Sequence, residues 1–239
     1  MPMIRDPAAR IAALRFLAAL AAAVLAAFAL NAAAAPFVVR LGAERVVLDA
    51  PAGYSDSLGL SSPRLQELAE AQTSPSNRIL LFAITDGDLR RFMSGDRPDF
   101  RRYMIAVIPA RLEHERLSAA EFGALAGESL GEMGKPPAKA DDLAQLDAPP
   151  HGQPRLLAEL RRDPFAVSVL QGMRLPAAGS AEREAKPKYL FSTTTLLLLR
   201  GKALTLSVYT DHEGSADIDW LRTVTLRWAE ELQRLNRNP

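Results

Sequence analysis

The alternation of apolar and polar residues between Tyr189 and residue 211 predicts a β-hairpin. Apolar segments flank Arg200-Gly201-Lys202, and the glycine favours a tight two-residue turn. Either Arg200-Gly201 or Gly201-Lys202 as the loop places the same side chains on each face, because the two registers differ by two residues. The first strand is apolar on both faces and is predicted to be central, whereas the second alternates and is predicted to lie nearer an edge. One face would carry Thr195, Leu197 and Leu199 with Leu204, Leu206 and Val208.

A helix is predicted directly after this hairpin, because apolar residues recur there in steps of three and four. The apolar stripe consists of Ile218, Leu221, Val224, Trp228, Leu232 and Leu235. Charged residues lie off the stripe. Ser215 or Asp217 is predicted as the N-cap, since a short polar side chain can accept a hydrogen bond from the first turn. Such a helix can cover one face of the hairpin.

The preceding part of the chain contains shorter strand patterns and two helix starts. Ser62-Pro63 places an N-cap before a proline at the first helical position and predicts a helix to about residue 72. Ser118 and Glu121 have the spacing of a capping box and predict a second helix. Residues 156–162 are predicted to form one or two helical turns. Strands are predicted at 37–41, 44–50, 77–85, 103–109 and 165–170.

Two segments lack such a pattern and are predicted to be mobile loops. Residues 134–154 are rich in proline, alanine and aspartate, and residues 177–187 are polar and rich in small side chains. Helices interleave with strands elsewhere, but several strands are adjacent in sequence. This order predicts an α+β fold in which a single, largely antiparallel β-sheet is packed by helices. Residues 35–239 are predicted to form one domain.

The first 34 residues have the features of a secretory signal peptide. Three arginines, the last at Arg15, precede an uninterrupted apolar run over 16–30, and a series of alanines follows. We expect cleavage between Ala34 and Ala35, and release of the product into the periplasm or outside the cell. The open alternative is an uncleaved helix that anchors the protein to the inner membrane, because the run approaches the ~20 residues that span a bilayer.

The composition and charge of the chain limit the kinds of molecule that it is expected to bind. The 239-residue chain has 29 basic and 28 acidic side chains, and without the leader the two are nearly balanced. Nucleic-acid binding needs a clustered basic excess, so no nucleic-acid partner is expected. The chain has no cysteine, which excludes disulfides and a lipid-modified cysteine. Neither a Walker loop nor a G-x-G-x-x-G motif occurs, and no cofactor is expected.

One catalytic motif has a formal match. The segment Gly127-Glu128-Ser129-Leu130-Gly131 reads G-x-S-x-G, which in hydrolases places the serine on a turn between a strand and a helix. Here the motif falls inside or at the end of the helix predicted from Ser118, and the preceding residues lack β-branched side chains. We therefore expect Ser129 to be structural or exposed. A serine hydrolase that uses Ser129 remains the alternative hypothesis.

The histidines are the candidate metal ligands. His114 and His212 each lie between two acidic residues, and His151 is the third histidine. Adjacent residues on a strand or loop point apart, and no H-E-x-x-H or paired-histidine spacing occurs. We interpret these segments as solvated acidic loops, and a metal-dependent hydrolase near His212 stays open. The pairs Arg90-Arg91 and Arg101-Arg102 are interpreted as solvated, with an anion-binding patch as the alternative.

Four stretches resemble a group of secreted proteins of proteobacteria: LDAPAGYSDS, RRYMIAVIP, STTTLLLLRGKALTLSVYT and WLRTVTLRWAEELQRLN. The resemblance covers nearly all of residues 35–239 and brings no function with it. The element order also resembles the Mog1/PsbP-type α/β/α sandwich, with an early strand ending in a Pro-Gly bend, a final hairpin and a closing helix. Members of that fold mostly act as binding or accessory modules. Since no set of nucleophile, base and orienting group is visible, we expect a non-catalytic accessory or binding protein of the cell envelope, with a protein or small-molecule ligand.

Overall fold

The structure is a computed structural model that describes residues 35–134, 136, 143–147, 150, 152–176 and 187–237. Its strands and helices are β1 (Phe37–Leu41), β2 (Glu44–Leu48), β3 (Tyr54–Asp56), α1 (Pro63–Glu70), β4 (Asn77–Thr85), α2 (Asp86–Met93), β5 (Arg102–Pro109), α3 (Ala119–Met133), β6 (Arg155–Asp163), β7 (Ala166–Arg174), β8 (Tyr189–Leu199), β9 (Lys202–Asp211) and α4 (Ser215–Leu235). Short 3-10 turns lie at Leu58–Leu60, Ala110–Leu112 and Leu143–Leu146.

Seven strands form one sheet in the order β3-β4-β5-β9-β8-β7-β6. Every neighbouring pair in this sheet is antiparallel. Strands β1 and β2 form a separate antiparallel hairpin. The predicted α+β fold with a largely antiparallel sheet is therefore confirmed.

The β8–β9 hairpin has the predicted facing sets. Leu199 pairs with Lys202, so Arg200-Gly201 is the two-residue loop, and both loop residues have positive φ. These angles are those of a type I′ turn, which matches the twist of the flanking strands. The expected edge position of β9 is wrong, because β5 pairs with its other side and places it in the middle of the sheet. In the middle of β9 the alternating polar residues are Thr205 and Ser207, which are small enough to fit within a sheet.

Helices cover both faces of the sheet. On one face, α4 and the β1–β2 hairpin pack over the main core, which includes Phe191, Leu204, Leu206 and Trp228. On the other face, α1 and α2 pack over β4 and β5. Phe122 of α3 packs there against Leu198 and Ala203. The layers are helix, sheet and helix, as expected for a sheet whose central strands are apolar on both faces.

Helix α4 has the predicted buried stripe and a different N-terminus from the one expected. Ile218, Leu221, Trp228 and Leu232 are buried. The N-cap is Gly214, so neither Ser215 nor Asp217 takes that position. The Asp217 carboxylate instead reaches back from the first turn and accepts hydrogen bonds from the Glu213 and Gly214 N–H groups. A capping side chain at Gly214 is unnecessary because Asp217 satisfies these donors.

The prediction of a helical turn at 156–162 is wrong, since this segment lies within the edge strand β6. The segment consists of leucine, alanine, glutamate and arginine, whose intrinsic preference is for a helix. Pairing with β7 overrides that preference, with register irregularities at Leu156/Ala158 and Glu159/Arg161. Bulges and exposed charges on an edge strand oppose further strand addition.

The two helix starts that the sequence predicted are confirmed. Helix α1 begins at Pro63 after the N-cap Ser62, and α3 begins after Ser118 with both halves of the capping box formed.

The predicted loop at 134–154 lies partly outside the described residues, but Leu146 within it is buried in the main core. Most of 177–187 and all of the predicted leader, 1–34, also lie outside them. No helix in the described ranges is long and apolar enough to cross a membrane.

Candidate functional site

Ser129 lies inside helix α3 together with the whole G-x-S-x-G segment. A nucleophile elbow requires the serine on a sharp turn between a strand and a helix, so that its Oγ is presented above the sheet. The segment before Ser129 is helical back to Ala119 and provides no such turn. The side chain is half-buried on the helix.

The histidines are spread over the molecule. His114 is exposed beside the β1–β2 turn, whereas His212 follows β9 with its ring centroid 4.8 Å from that of Phe191. The Nδ1 atom of His212 is buried and has no hydrogen-bond partner. Across the described ranges, no three His, Asp or Glu side chains converge as a metal site would require. His151 lies outside the described residues.

The predicted arginine pairs take different positions. Arg90 and Arg91 are exposed on α2, and Arg91 pairs with Asp99. Arg101 and Arg102 both contact the Asp217 carboxylate, at 2.9 and 2.7 Å. Burial by itself raises the pKa of Asp217. A larger opposite effect comes from the Glu213 N–H, both guanidinium groups and the Gly214 N–H, so the pKa lies below its ordinary value.

The junction around Asp217 joins β5 to the start of α4. The Arg102 guanidinium lies 4.1 Å from the Trp220 ring centroid. Tyr54 faces the same tryptophan at 6.3 Å, and its burial, only partly opposed by Arg102, raises its pKa to about 12. The phenol therefore stays protonated at neutral pH. Because each arginine here is paired with a carboxylate, the cluster stabilises the fold more readily than it attracts an anion.

A cleft at the opposite end of α4 has more of the features of a binding site. We call it the hairpin-end cleft. It has a volume of about 470 Å³ and is formed by the β6–β7 turn, the β8–β9 turn and the end of α4. Its lining residues are Arg161, Asp163, Pro164, Phe165, Leu198, Leu199, Arg200, Gln233, Asn236 and Arg237. This volume is within the range of small-molecule sites.

The hairpin-end cleft has an excess of positive charge. Its lining contains three arginines and one aspartate. Arg161 donates from Nε to Asp163 at 2.5 Å and from Nη2 to Gln233 at 2.9 Å, while its buried Nη1 has no partner. A buried donor without an acceptor costs about 1–3 kcal/mol. An anion that reaches this guanidinium could provide the acceptor.

Arg200 occupies the first position of the type I′ turn with a φ of 53°. Asparagine, aspartate and glycine are the residues that this position favours. Any other L-residue in the left-handed region costs about 1–2 kcal/mol. The chain therefore has a cationic side chain at a turn position that favours other residue types. Such a cost in stability is expected where a residue serves function.

Phe165 adds an exposed aromatic ring to the cleft. The side chain is 51% exposed, although its backbone is fixed by hydrogen bonds to Asp163 and to the Leu198 N–H. A large apolar side chain held at the surface on a rigid turn is a common feature of binding sites. The ring and the arginines together suit a ligand with an anionic end and an apolar body.

A larger depression of about 570 Å³ lies beside α1. Four of its polar side chains already pair with one another: Gln66 with Glu70 at 2.9 Å and Asn77 with Thr73 at 2.9 Å. Its only charged lining residue is Glu70. The hairpin-end cleft is the better candidate because the buried Arg161 Nη1 has no acceptor there and the lining contains more arginines than acidic side chains.

Sequence reasoning did not identify the hairpin-end cleft. Its residues come from three separate segments, and the first includes Arg161, which lies in a segment for which the sequence predicts a helix. Two local signals were present: Asp163-Pro164 is a turn signal between the two strands, and Arg200 stands where an I′ turn favours asparagine.

No protein-family model and no curated protein matches the chain. Among solved structures, the chain is similar to the crystal structure of the Saccharomyces cerevisiae Ran-binding protein Mog1p, with 12% sequence identity and a TM-score of 0.39. The alignment covers 84% of this chain and 94% of that chain. The fold described above rests on the strand pairing itself.

Proposed function

We propose that this protein is a secreted, non-catalytic binding or accessory protein of the cell envelope. The hairpin-end cleft is the observation that carries the proposal. Its lining combines arginines, a fixed exposed phenylalanine and two buried leucines, Leu198 and Leu199, which are features of ligand recognition. Those lining residues include no serine, histidine or lysine that could act as a nucleophile or a base.

The envelope location is supported by the leader sequence. Residues 1–34 have the basic start, apolar centre and small-residue end of a signal peptide. The protein would act after export, on an envelope protein or on a small molecule present there.

Affinity purification from envelope extracts tests the proposal. A tagged full-length chain should enrich a defined partner or a bound small molecule, and substitution of Phe165 by alanine should reduce that enrichment. In parallel, the purified protein should give no turnover on a panel of esters and peptides. Turnover that is lost in Ser129→Ala or on chelation, together with no enriched partner or ligand, would instead support the hydrolase hypotheses at Ser129 or His212.

A further inference from the structure

We infer that the open edge of strand β4 beside α1 binds a short, extended peptide segment of a partner protein by strand addition. The inference goes beyond the proposed function, because it uses the depression of about 570 Å³ beside α1, and none of the residues that line this depression lines the hairpin-end cleft. We call the depression the α1 groove. Its lining includes Ser62, Gln66 and Glu70, at the start of α1 and within it, and Asn77 and Ile79 of β4.

Strand β4 is much longer than the strand that covers its outer side. It has nine residues, and β3 pairs only with residues 83–85. The contact with the β3 segment ends at Phe82, whose N–H donates to Asp56 Oδ1 and whose carbonyl accepts from the Ser57 N–H. Among the described residues, no strand pairs with 77–81 on that side. Because backbone groups alternate in direction along a strand, some N–H and carbonyl groups of 77–81 face this open side.

The α1 groove lies on the open side of β4. Its lining includes Leu58, in the 3-10 turn that follows β3, and no residue of β5, the strand on the other side of β4. The chain leaves the sheet edge through this turn and ends it at Ser61 with a φ of 50°, a conformation that few residues with a side chain adopt. A peptide in the groove would take the position of a longer β3. Extended peptides bind to exposed sheet edges through main-chain hydrogen bonds of this kind.

The side-chain pairs within the groove leave main-chain recognition possible. Gln66 bonds to Glu70, and Asn77 to Thr73, through side-chain atoms only. The open part of β4, residues 77–81, is about 16 Å long at ~3.3 Å per residue. A register irregularity between Ile79 and Leu81 prevents longer regular pairing. The added segment is therefore short, about five residues.

The lining of the groove also restricts the side chains of the peptide. Glu70 is the only charged residue in the lining, so a cationic side chain is favoured. Leu58 and Ile79 are partly buried apolar residues and offer contacts to an apolar side chain. Alternate side chains of an extended peptide point to the same face. We therefore expect a segment in which apolar residues and a lysine or arginine occupy alternate positions.

The opposite edge of the sheet provides a control within the same molecule. Strand β6 also lacks a neighbour on one side. It has two register irregularities and exposed charged side chains at Arg155, Glu159 and Arg162. Both features oppose strand addition, and no groove lining residue comes from this strand.

Titration of the full-length chain with the peptide acetyl-Val-Thr-Val-Thr-Lys-amide tests the inference. Calorimetry should show one site, and amide hydrogen exchange should slow within residues 78–81 but not within β6. Two derivatives test main-chain pairing: one is N-methylated at both threonines, the other at the second valine and the lysine. Each removes the N–H groups of one edge of the peptide. One derivative should bind about as well as the parent, and the other at least about tenfold more weakly.

Matched variants on α1 locate the site. Glu70→Lys should weaken binding of the peptide by about fivefold, as expected for the loss of an exposed charge pair. Glu67→Lys is the control, because Glu67 is exposed on the same helix and does not line the groove. Gln66→Trp should obstruct the groove and weaken binding by at least about tenfold, whereas Glu67→Trp should leave it unchanged.

Several results would overturn the inference. They are absence of binding at millimolar peptide, equal affinity of the two methylated derivatives, slowed exchange in β6 instead of 78–81, or equal effects of the Glu70 and Glu67 variants. None of them bears on the hairpin-end cleft, since the two sites share no lining residue. Failure of the proposed function is recognised separately, by the absence of any enrichment that depends on Phe165.

Discussion

Lys202 shows how a single buried charge can organise a loop. Its side chain is 2% exposed, and its Nζ donates to the carbonyl oxygens of Glu113 and Glu115 at 2.9 and 2.5 Å. These two carbonyls belong to the segment that leads from β5 to α3. The lysine thus fixes that segment on the β8–β9 hairpin, and the hydrogen bonds compensate the desolvation of the ammonium group.

Lys202→Met should lower the free energy of unfolding by about 1–3 kcal/mol. Methionine retains most of the volume, but both carbonyls lose a buried donor. Urea denaturation measures the effect. Arg90→Met, which removes an exposed cation, should change stability by no more than about 0.5 kcal/mol. Equal effects of the two substitutions would show that the ammonium group is not structural.

Asp217 makes stability dependent on acid pH. Its side chain is 5% exposed, and its folded-state pKa is below the ordinary 3.8. A group with a depressed folded pKa contributes stability that is present above the unfolded pKa and is lost as the pH falls through the folded pKa. The contribution of Asp217 is therefore complete at neutral pH and is lost below about pH 4.

Asp217→Asn should destabilise the protein at pH 7 by about 2 kcal/mol, because Arg101 and Arg102 lose their shared counter-charge. The difference between wild type and variant should shrink as the pH falls below 4. Asp219→Asn, at an exposed position on the same helix, should cost no more than about 0.5 kcal/mol. Thermal melts at a series of pH values test this, and a constant difference down to pH 2 would contradict the assignment.

Ser129 should not react as a nucleophile. It lies within helix α3, without the strand-to-helix turn that activates the serine of a G-x-S-x-G motif. An activity-based fluorophosphonate probe should leave the protein unlabelled. Labelling of the wild type that is lost in Ser129→Ala would favour the serine-hydrolase hypothesis over the proposed binding function.

At the scale of elements, helix α4 connects distant parts of the chain. Trp228 is 2% exposed, and its Nε1 donates to the Asp49 carbonyl at 2.8 Å. Asn236, just past the helix, exchanges hydrogen bonds with both the N–H and the carbonyl of Val47. The helix therefore fixes the β1–β2 hairpin as well as covering the sheet.

Trp228→Ala should destabilise the protein by about 3–5 kcal/mol, since it leaves a large cavity in the main core. Arg227→Ala changes the exposed neighbour and should cost no more than about 0.5 kcal/mol. Denaturant melts of both variants provide the test. Similar losses would mean that the helix does not pack through its apolar stripe.

The elements that the sequence predicted well are those in which local preference and tertiary structure agree. The β8–β9 turn, the capping box of α3 and the stripe of α4 each carry a short-range signal. Strand β6 lacks one, because helix-forming residues become a strand only through pairing with β7. The central position of β9 likewise depends on β5, about a hundred residues earlier in the chain. The hairpin-end cleft could not be predicted, since it exists only after such long-range pairing.

At the scale of the whole molecule, the two ends of α4 differ in their balance of charge, and the proposed binding site lies at only one of them. At its start, Asp217 holds Arg101 and Arg102 in a closed set of ion pairs that stabilises the fold. At its end, the arginines outnumber the acidic side chains and an aromatic ring is exposed. A protein that binds through rigid elements needs this division, because a site on strand turns and a helix end keeps its geometry only if the helix is fixed elsewhere.

Cleavage of the predicted leader would decide whether the hairpin-end cleft faces the periplasm on a soluble protein. The basic, apolar and small-residue segments of 1–34 predict cleavage before Ala35. Because the chain lacks cysteine, no lipid attached through cysteine can retain the product. Mass spectrometry of the protein from fractionated cells should find a soluble periplasmic species that begins at Ala35. An intact N-terminus in the membrane fraction would instead identify an anchored protein, with the cleft held near the inner membrane. A variant with Arg10 and Arg15 replaced by glutamate should remain uncleaved in the cytoplasm, because the basic region orients the leader for export.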